Sequence, residues 1–287
     1  MNFRNGYLAT IILAAYLLLA PYFVSAEGKV EWSKPQQPFC IAGNLYYVGT
    51  YDLACYLVTT SEGHILINEG LDSTVPMIRA NVERLGFKFT DIKILLISQA
   101  HFDHVGGLAK IQALTGAKVM IDKMDAPVVE DGGNSDYLFG GKGRGSMFKP
   151  VKVDRLLSDG DIVTLGGMQL KMLHHPGHTK GACSYLMDIV DKKRTYKVLI
   201  ANMPTILDDT KAGMATYPNV DKDFAYTLHS LKTVKFDLWV AAHASQFYLH
   251  ENHKDRKGYH PELFMDKKHY DEELKELSQD YVKKFGR

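Results

Sequence analysis

The chain has 287 residues and carries 34 lysines and arginines against 33 acidic residues, a formal charge of +1. So even a balance supplies no basic stripe, which argues against nucleic acid as a partner. The first 26 residues stand apart. Arg4 precedes a nearly unbroken apolar run over 8–20, and Val24-Ser25-Ala26 offers small residues for cleavage before Glu27, the layout of a secretory signal peptide. The run is shorter than the roughly 20 residues a spanning helix needs. The expectation is therefore a leader over 1–26, one soluble domain over 27–287 with no membrane segment, and a periplasmic location. Removing the leader takes away Arg4 and no acid, and no internal repeat or low-complexity linker divides the rest. Three cysteines, Cys40, Cys55 and Cys183, are an odd number for an oxidising compartment. Cys40 and Cys55 are the nearest candidates for a pair, but free, buried thiols are the default expectation.

Taken in chain order, short strands are expected over 45–48, 55–59 and 65–68. A helix capped by Ser73 follows, with Val75, Ile78, Val82 and Leu85 on one face and Gly86 as its stop. Residues 92–97 are apolar and rich in isoleucine and leucine, which reads as a buried strand. A helix over about 107–114 ends before Gly116, and 118–121 is the next strand. Residues 131–146 form a long glycine-dense loop. It reads either as a flexible wall over a small molecule, with Lys142 or Arg144 near a carboxylate of that molecule, or as a surface insertion. From 153 to 200 the pattern is mostly β, broken by the loop around His178 and the charged turn Asp191-Lys192-Lys193-Arg194. A helix over 224–234, a strand over 238–241 and a terminal helix over 261–284 complete the chain. This mixture says α/β and no more.

The strand over 92–97 runs into Gln99-Ala100-His101-Phe102-Asp103-His104-Val105-Gly106-Gly107. Two imidazoles and a carboxylate within four residues at a strand tip can converge on a metal, and both are ligand types that zinc accepts. The glycines let the backbone turn into the next helix. His178 follows a Pro-Gly turn after the apolar stretch 168–173, and His243 ends the apolar run 236–242. Strand end, ligand and loop thus recur three times, as a site of fixed geometry requires. A hydrogen-bonded core cluster is the plain alternative, and five such groups at strand ends weigh against it. Of the 12 histidines, His64, His229, His250, His253, His260 and His269 lie in polar surroundings and are expected at the surface. His174 and His175 flank the His178 turn and are read first as packing or loop residues, and second as outer partners of a ligand.

These residues carry a resemblance. Gln99-x-His101-x-Asp103-His104, Pro176-Gly177-His178-Thr179 and His243 resemble the metallo-β-lactamase superfamily, whose leading motif is His-x-His-x-Asp-His. The sequence is most similar to subclass B3, and within it to GOB-type enzymes, in which glutamine also fills the first ligand position. The similarity extends through 41–54, 198–204 and 239–247. The resemblance implies a four-layer αβ/βα sandwich holding one or two zinc ions. Gln99, His101 and His178 would hold one; Asp103, His104 and His243 the other. It further implies hydrolysis of β-lactam antibiotics by metal-bound hydroxide, hence antibiotic resistance. Asp103 would orient the nucleophile and pass a proton to the departing nitrogen. The partner would be a small-molecule β-lactam, and the chain a monomer. Met203 stands where related subclasses place serine or cysteine. Its thioether suits copper(I) better than zinc, so packing is the first reading and lining of the substrate pocket the second.

A serine mechanism finds no support. The only Ser-x-x-Lys is Ser146-Met147-Phe148-Lys149, running straight into Pro150, and neither Ser-Asp-Asn nor Lys-Thr-Gly occurs. Two rivals stand beside the lactamase reading. One is a lactonase or a thioester hydrolase resembling glyoxalase II. Those enzymes bridge their metals with an aspartate where this chain has Leu199-Ile200-Ala201-Asn202-Met203. The other is a non-catalytic periplasmic zinc-binding protein, disfavoured because three protein ligands per metal leave a position open to water.

Overall fold

A computed structural model describes residues 30–141, 145–253 and 258–286. Lys142, Arg144, the leader expected over 1–26 and the side chain of His253 lie outside the described residues. The strands form two sheets. The first holds β1 (Phe39–Ala42), β2 (Leu45–Tyr47), β3 (Tyr56–Thr60), β4 (Gly63–Ile67), β5 (Ile92–Leu96), β6 (Lys118–Asp122) and β7 (Arg155–Leu157), side by side in that order. The second holds β8 (Ile162–Leu165), β9 (Met168–His174), β10 (Cys183–Asp191), β11 (Arg194–Ala201) and β12 (Leu238–Ala241), again in chain order. The helices are α1 (Val30–Ser33), α2 (Val75–Arg84), α3 (Phe102–Val105), α4 (Leu108–Thr115), α5 (Ala126–Glu130), α6 (Val220–Thr233), α7 (Leu249–His253) and α8 (Lys267–Phe285).

Strands β1 to β4 pair antiparallel, whereas β4 to β7 run parallel. In the second sheet β8 to β11 are antiparallel and only β12 joins in parallel. Parallel neighbours require a crossover, and α2, α4 and α6 supply helical ones. Alternation along β5 shows how the layers close. Ile94 and Leu96 enter the core between the sheets with Ile67, Tyr185, Val198 and Ile200. Leu95 and Ile97 face outward onto Val75, Ile78 and Val82 of α2 and Leu108 of α4. A strand covered on both faces reads as apolar on both, which is why 94–97 has no alternating pattern; Lys93, near the strand's start, is exposed. Over the second sheet, Leu228 and Leu231 of α6 and Tyr270 and Leu274 of α8 form the outer cover. Trp239 on β12 meets Tyr270 edge-on at 5.0 Å. Helices, sheet, sheet, helices is the expected four-layer αβ/βα sandwich.

Several local expectations change. Ser73 does not cap α2; it lies in a 3-10 turn, Asp72–Thr74, and the helix starts at Val75 with proline in its first turn. The terminal helix is two pieces, a 3-10 turn Pro261–Phe264 and then α8, whose start is capped by the Asp266 carboxylate accepting from His269 N. Strand β1 and the short helix α3 carried no clear signal. His64, expected at the surface, is buried edge-on to Phe87, with rings 5.2 Å apart; its neighbours in sequence are polar, but β4 pairs on both sides. The three cysteines are free, Cys55 and Cys183 buried and Cys40 half-buried.

Two tyrosines tie one sheet to the other. The Tyr56 hydroxyl donates to Ala241 O at 2.5 Å, and the Tyr185 hydroxyl donates to Ile97 O at 2.9 Å. Both rings are fully buried, so losing the Tyr185 hydroxyl leaves Ile97 O, away from water, with only the weak Cys183 thiol donor at 3.3 Å. Tyr185→Phe is expected to destabilise the protein by about 1–2 kcal/mol, read from the urea midpoint at unchanged slope.

Candidate metal centre

The first sheet's parallel strands and the second sheet's β12 all end at one edge of the molecule, where a cleft of about 340 Å³ opens. That volume suits a small molecule. The chain after β5 places Gln99 and His101 in an extended segment and Asp103 and His104 on α3. His178 comes from the turn between β9 and β10, and His243 from the residue pair beyond β12. The two halves are sewn together here by the backbone. Ala54 N donates to Ala242 O at 3.1 Å and Ala244 N to Asp52 O at 2.7 Å.

Two groups of side chains form within the cleft. In the first, His101 Nδ1 lies 3.1 Å from His178 Nε2. In the second, Asp103 Oδ2 lies 3.2 Å from His104 Nε2 and 3.4 Å from His243 Nε2, and one ligand atom from each of the three lies within 4.8 Å of the others. Two zinc–ligand bonds of about 2.0–2.1 Å at a tetrahedral angle put their donor atoms roughly 3.3 Å apart. The His101–His178 pair and the Asp103–His104–His243 group have that spacing. Gln99 Oε1 is buried without a hydrogen-bond partner, and so is His104 Nε2. Buried polar atoms are rarely left so, and the donor set fits zinc.

Hydrogen bonds behind His178 and His243 fix which nitrogen each presents. His178 Nδ1–H donates to Thr205 O at 2.6 Å, leaving the Nε2 lone pair toward the cleft. Burial and the neighbouring His101 push its pKa down to about 3, so it is neutral. Asp136 Oδ2 lies 3.3 Å from His101 Nε2, within ion-pair reach but off the line of a good hydrogen bond. Burial alone would lower the pKa of His101, and Asp136 more than reverses that. Its Nδ1 faces a lone pair 3.1 Å away, a gap that only a cation, either a proton or a metal, can bridge. His243 Nδ1–H donates to Asp52 Oδ2 at 3.1 Å. Burial works against its charge, but Asp103 and Asp52 on either side raise its pKa to about 9. Without metal it holds a proton at neutral pH, which a metal must displace. Burial would raise the Asp103 carboxyl, yet His104 and His243 hold it well below the usual range.

Five of the six predicted ligands line one cleft, and the sixth, His104, is buried beside it, 3.2 Å from the Asp103 carboxylate. Met203 is buried, packs into the core between the sheets and also lines the cleft. Among the described residues, neither the His174 nor the His175 ring is hydrogen-bonded to a ligand. His174 Nδ1–H donates to Asp122 Oδ2 at 2.7 Å. His175 sits between Ser184 Oγ at 2.7 Å and Ser230 Oγ at 3.0 Å. The arrangement that satisfies every group runs from Asn202 N–H to Ser184 Oγ, from the Ser184 hydroxyl to Nδ1, and from Nε2–H to Ser230. Sequence reasoning missed Asp52, Asp125, Asp136 and Thr205, because a lone carboxylate or carbonyl in a loop has no spacing to betray it.

A sequence profile of the metallo-beta-lactamase superfamily matches residues 50–189. A class B3 di-zinc metallo-beta-lactamase, LRA-12 from an Alaskan soil metagenome, is 55% identical over 89% of this chain and 96% of that one, with a TM-score of 0.86. The metallo-beta-lactamase GOB-18 from Elizabethkingia meningoseptica is 50% identical over 90% of this chain and 96% of its own, with a TM-score of 0.87. A hydroxyacylglutathione hydrolase of Rhodopseudomonas palustris (strain BisB5) is 31% identical over 113 residues, 39% of this chain and 34% of that protein. The chain spans about half the length, or less, of the curated relatives it matches. It belongs to the metallo-beta-lactamase superfamily. Within that superfamily its likeness is to the class B3 enzymes, GOB-18 among them.

His175 gives the site a testable pH dependence. Burial lowers its pKa from 6.5 to about 4. Above pH 6.5 it is neutral folded or unfolded. As pH falls toward 4 the unfolded chain takes up a proton that the folded chain refuses, and stability drops by up to about 3 kcal/mol. Urea unfolding of metal-free protein at pH 7 and pH 4.5 should show a smaller acid loss for His175→Gln than for wild type.

Proposed function

We propose that this protein is a zinc-dependent β-lactamase, with Gln99, His101 and His178 as one ligand set and Asp103, His104 and His243 as the other. The observation that carries the reading is the Asp103–His104–His243 group at zinc spacing beside the His101–His178 pair, with His178 and His243 each held by a hydrogen bond behind the ring. Three protein ligands per metal match an open, catalytic site. Zinc, when bound, lowers the pKa of water to about 7 and polarises a carbonyl. The protein's own part is to hold donors and acceptors in place around the ring amide. Asp103 stays ionised beside His104 and His243, so it can accept a proton and return it to the departing ring nitrogen. Phe139 and Phe102 give the cleft apolar walls, and Thr205, Ser245 and Gln246 line it with neutral hydrogen-bonding groups. Gln246 is itself placed, its Oε1 accepting from His243 N at 3.2 Å and its Nε2 donating to Thr205 Oγ1 at 3.3 Å.

Thioester and lactone hydrolases are the nearest rivals by kinship. Against them stands the end of β11, Ala201-Asn202-Met203, where no carboxylate faces the metals. The leader over 1–26 supports export, a domain over 27–287, periplasmic action and a part in antibiotic resistance. Among the described residues no helix is long and apolar enough to cross a membrane.

Assays of nitrocefin beside a lactone and a thioester, with and without chelator, test the assignment. Nitrocefin turnover is expected to dominate, to vanish on chelation and to return with zinc. Full hydrolysis by metal-free protein would refute it. His243→Ala, which removes one ligand and breaks the bond to Asp52, should abolish most activity.

Gln99 sets a second expectation. A neutral amide oxygen is a poorer zinc donor than imidazole, so the set with Asp103, His104 and His243 should fill first. In competition with a graded chelator, Gln99→His should hold its weaker zinc more tightly than wild type. Equal affinities at the two sites of the wild type would contradict this account of the glutamine.

A further inference from the structure

Asp125 does none of the chemistry above, yet its buried carboxylate accepts three hydrogen bonds beside the cleft. It occupies the position before α5, where an aspartate ordinarily caps its own helix. Here it makes no such bond. The side chain turns away from its helix instead. Oδ2 accepts from Ala100 N at 2.9 Å and from the Thr179 hydroxyl at 2.6 Å, and Oδ1 accepts from Gly181 N at 2.7 Å. Ala100 lies between Gln99 and His101, and Thr179 follows His178. Two of the three bonds therefore land on residues directly adjoining ligands of one set, and the third on Gly181, three residues after His178; the nearest ligand of the other set, Asp103, lies three residues beyond Ala100. The approach is close enough to dictate sequence: a Cβ on Gly181 would lie 2.4 Å from Asp125 N and 2.8 Å from its Cγ. Nothing comparable joins Asp125 to Asp103, His104 or His243. That set has its own anchor in Asp52, which accepts from His243 Nδ1 and from Ser245 N at 3.0 Å.

We propose that Asp125 is a positioning residue for the Gln99–His101–His178 zinc alone, joining the loop after β5 to the loop after β9, while Asp52 serves the other zinc. The two metal affinities are thus set by two different buried carboxylates. The inference rests on the division of ligands given above. Partners behind metal ligands typically contribute ten- to hundredfold to affinity. Because one ligand of this set is a weak donor, its geometry has little to spare.

Zinc binding in competition with a chromophoric chelator reads the two affinities directly. His178→Ala and His243→Ala, each lacking one ligand, identify which binding step belongs to which set. Asp125→Asn keeps the shape of the side chain but can no longer accept all three bonds. It should weaken the Gln99–His101–His178 step roughly tenfold or more and leave the other within about twofold. Asp52→Asn should do the reverse. Thr179→Val removes a single bond and should give a smaller loss at the same step, with Thr179→Ser restoring it; this pair carries the test if Asp125→Asn does not fold. Equal weakening of both steps, or of neither, would overturn the role of Asp125. Failure of wild type to bind zinc, or of the ligand deletions to remove separate steps, would instead overturn the ligand division itself.

Discussion

Each proposed zinc draws on both sheets. Gln99 and His101 come from the first sheet and His178 from the second; Asp103 and His104 come from the first and His243 from the second. The distance between donor atoms is therefore set by how two sheets dock, through side-chain packing and a few backbone bonds near the cleft. A slide of half an ångström between them would leave every secondary-structure element intact and spoil both sites. The docking of one sheet on the other is the constraint on which the chemistry depends.

That docking is held at several depths. Deep in the core, large apolar side chains interdigitate at the density of an organic crystal, and two buried tyrosine hydroxyls reach across to carbonyls on the opposite sheet. At the rim, backbone bonds join residues 52–54 to 242–244. At the mouth, buried carboxylates take over: Asp52 grips His243 from the first sheet, and Asp125 fastens the His178 loop to the loop after β5. Apolar packing supplies most of the adhesion, but it is non-directional and cannot by itself fix a register. The polar ties sit where register matters most.

This division explains what could be read from the sequence. The ligands could be found because zinc demands particular residue types at strand ends, and because Gln99, His101, Asp103 and His104 are neighbours in the chain. Strands 92–97 and 238–241 could be found because layers on both faces force a nearly continuous apolar run, interrupted in 92–97 only by the exposed Lys93. The positioning groups could not. Asp52 and His243 are separated by 191 residues, Asp125 and Gly181 by 56, and each is one ordinary residue in an ordinary loop until the fold brings it to its partner. His64 misled for the opposite reason: polar neighbours suggested exposure, but β4 is an interior strand with partners on both sides. The start of α2 was misplaced because Ser73 looks like a cap, while the nearby proline fixes the first turn one step later.

The bridge between Leu53 and His243 has a consequence for how the protein is born. A chain emerging from the ribosome completes the first sheet early, and with it Gln99, His101, Asp103 and His104. The strand that delivers His243 is synthesised near the end, and the segment it must pair with was made almost two hundred residues before. Contacts so distant in sequence form late in folding. Until then a passing metal ion meets fragments of a site, each able to bind weakly and in the wrong company. Correct loading is therefore tied to completion of the fold, and the choice of metal belongs to whatever compartment the finished molecule occupies rather than to the place where its ligands were first translated.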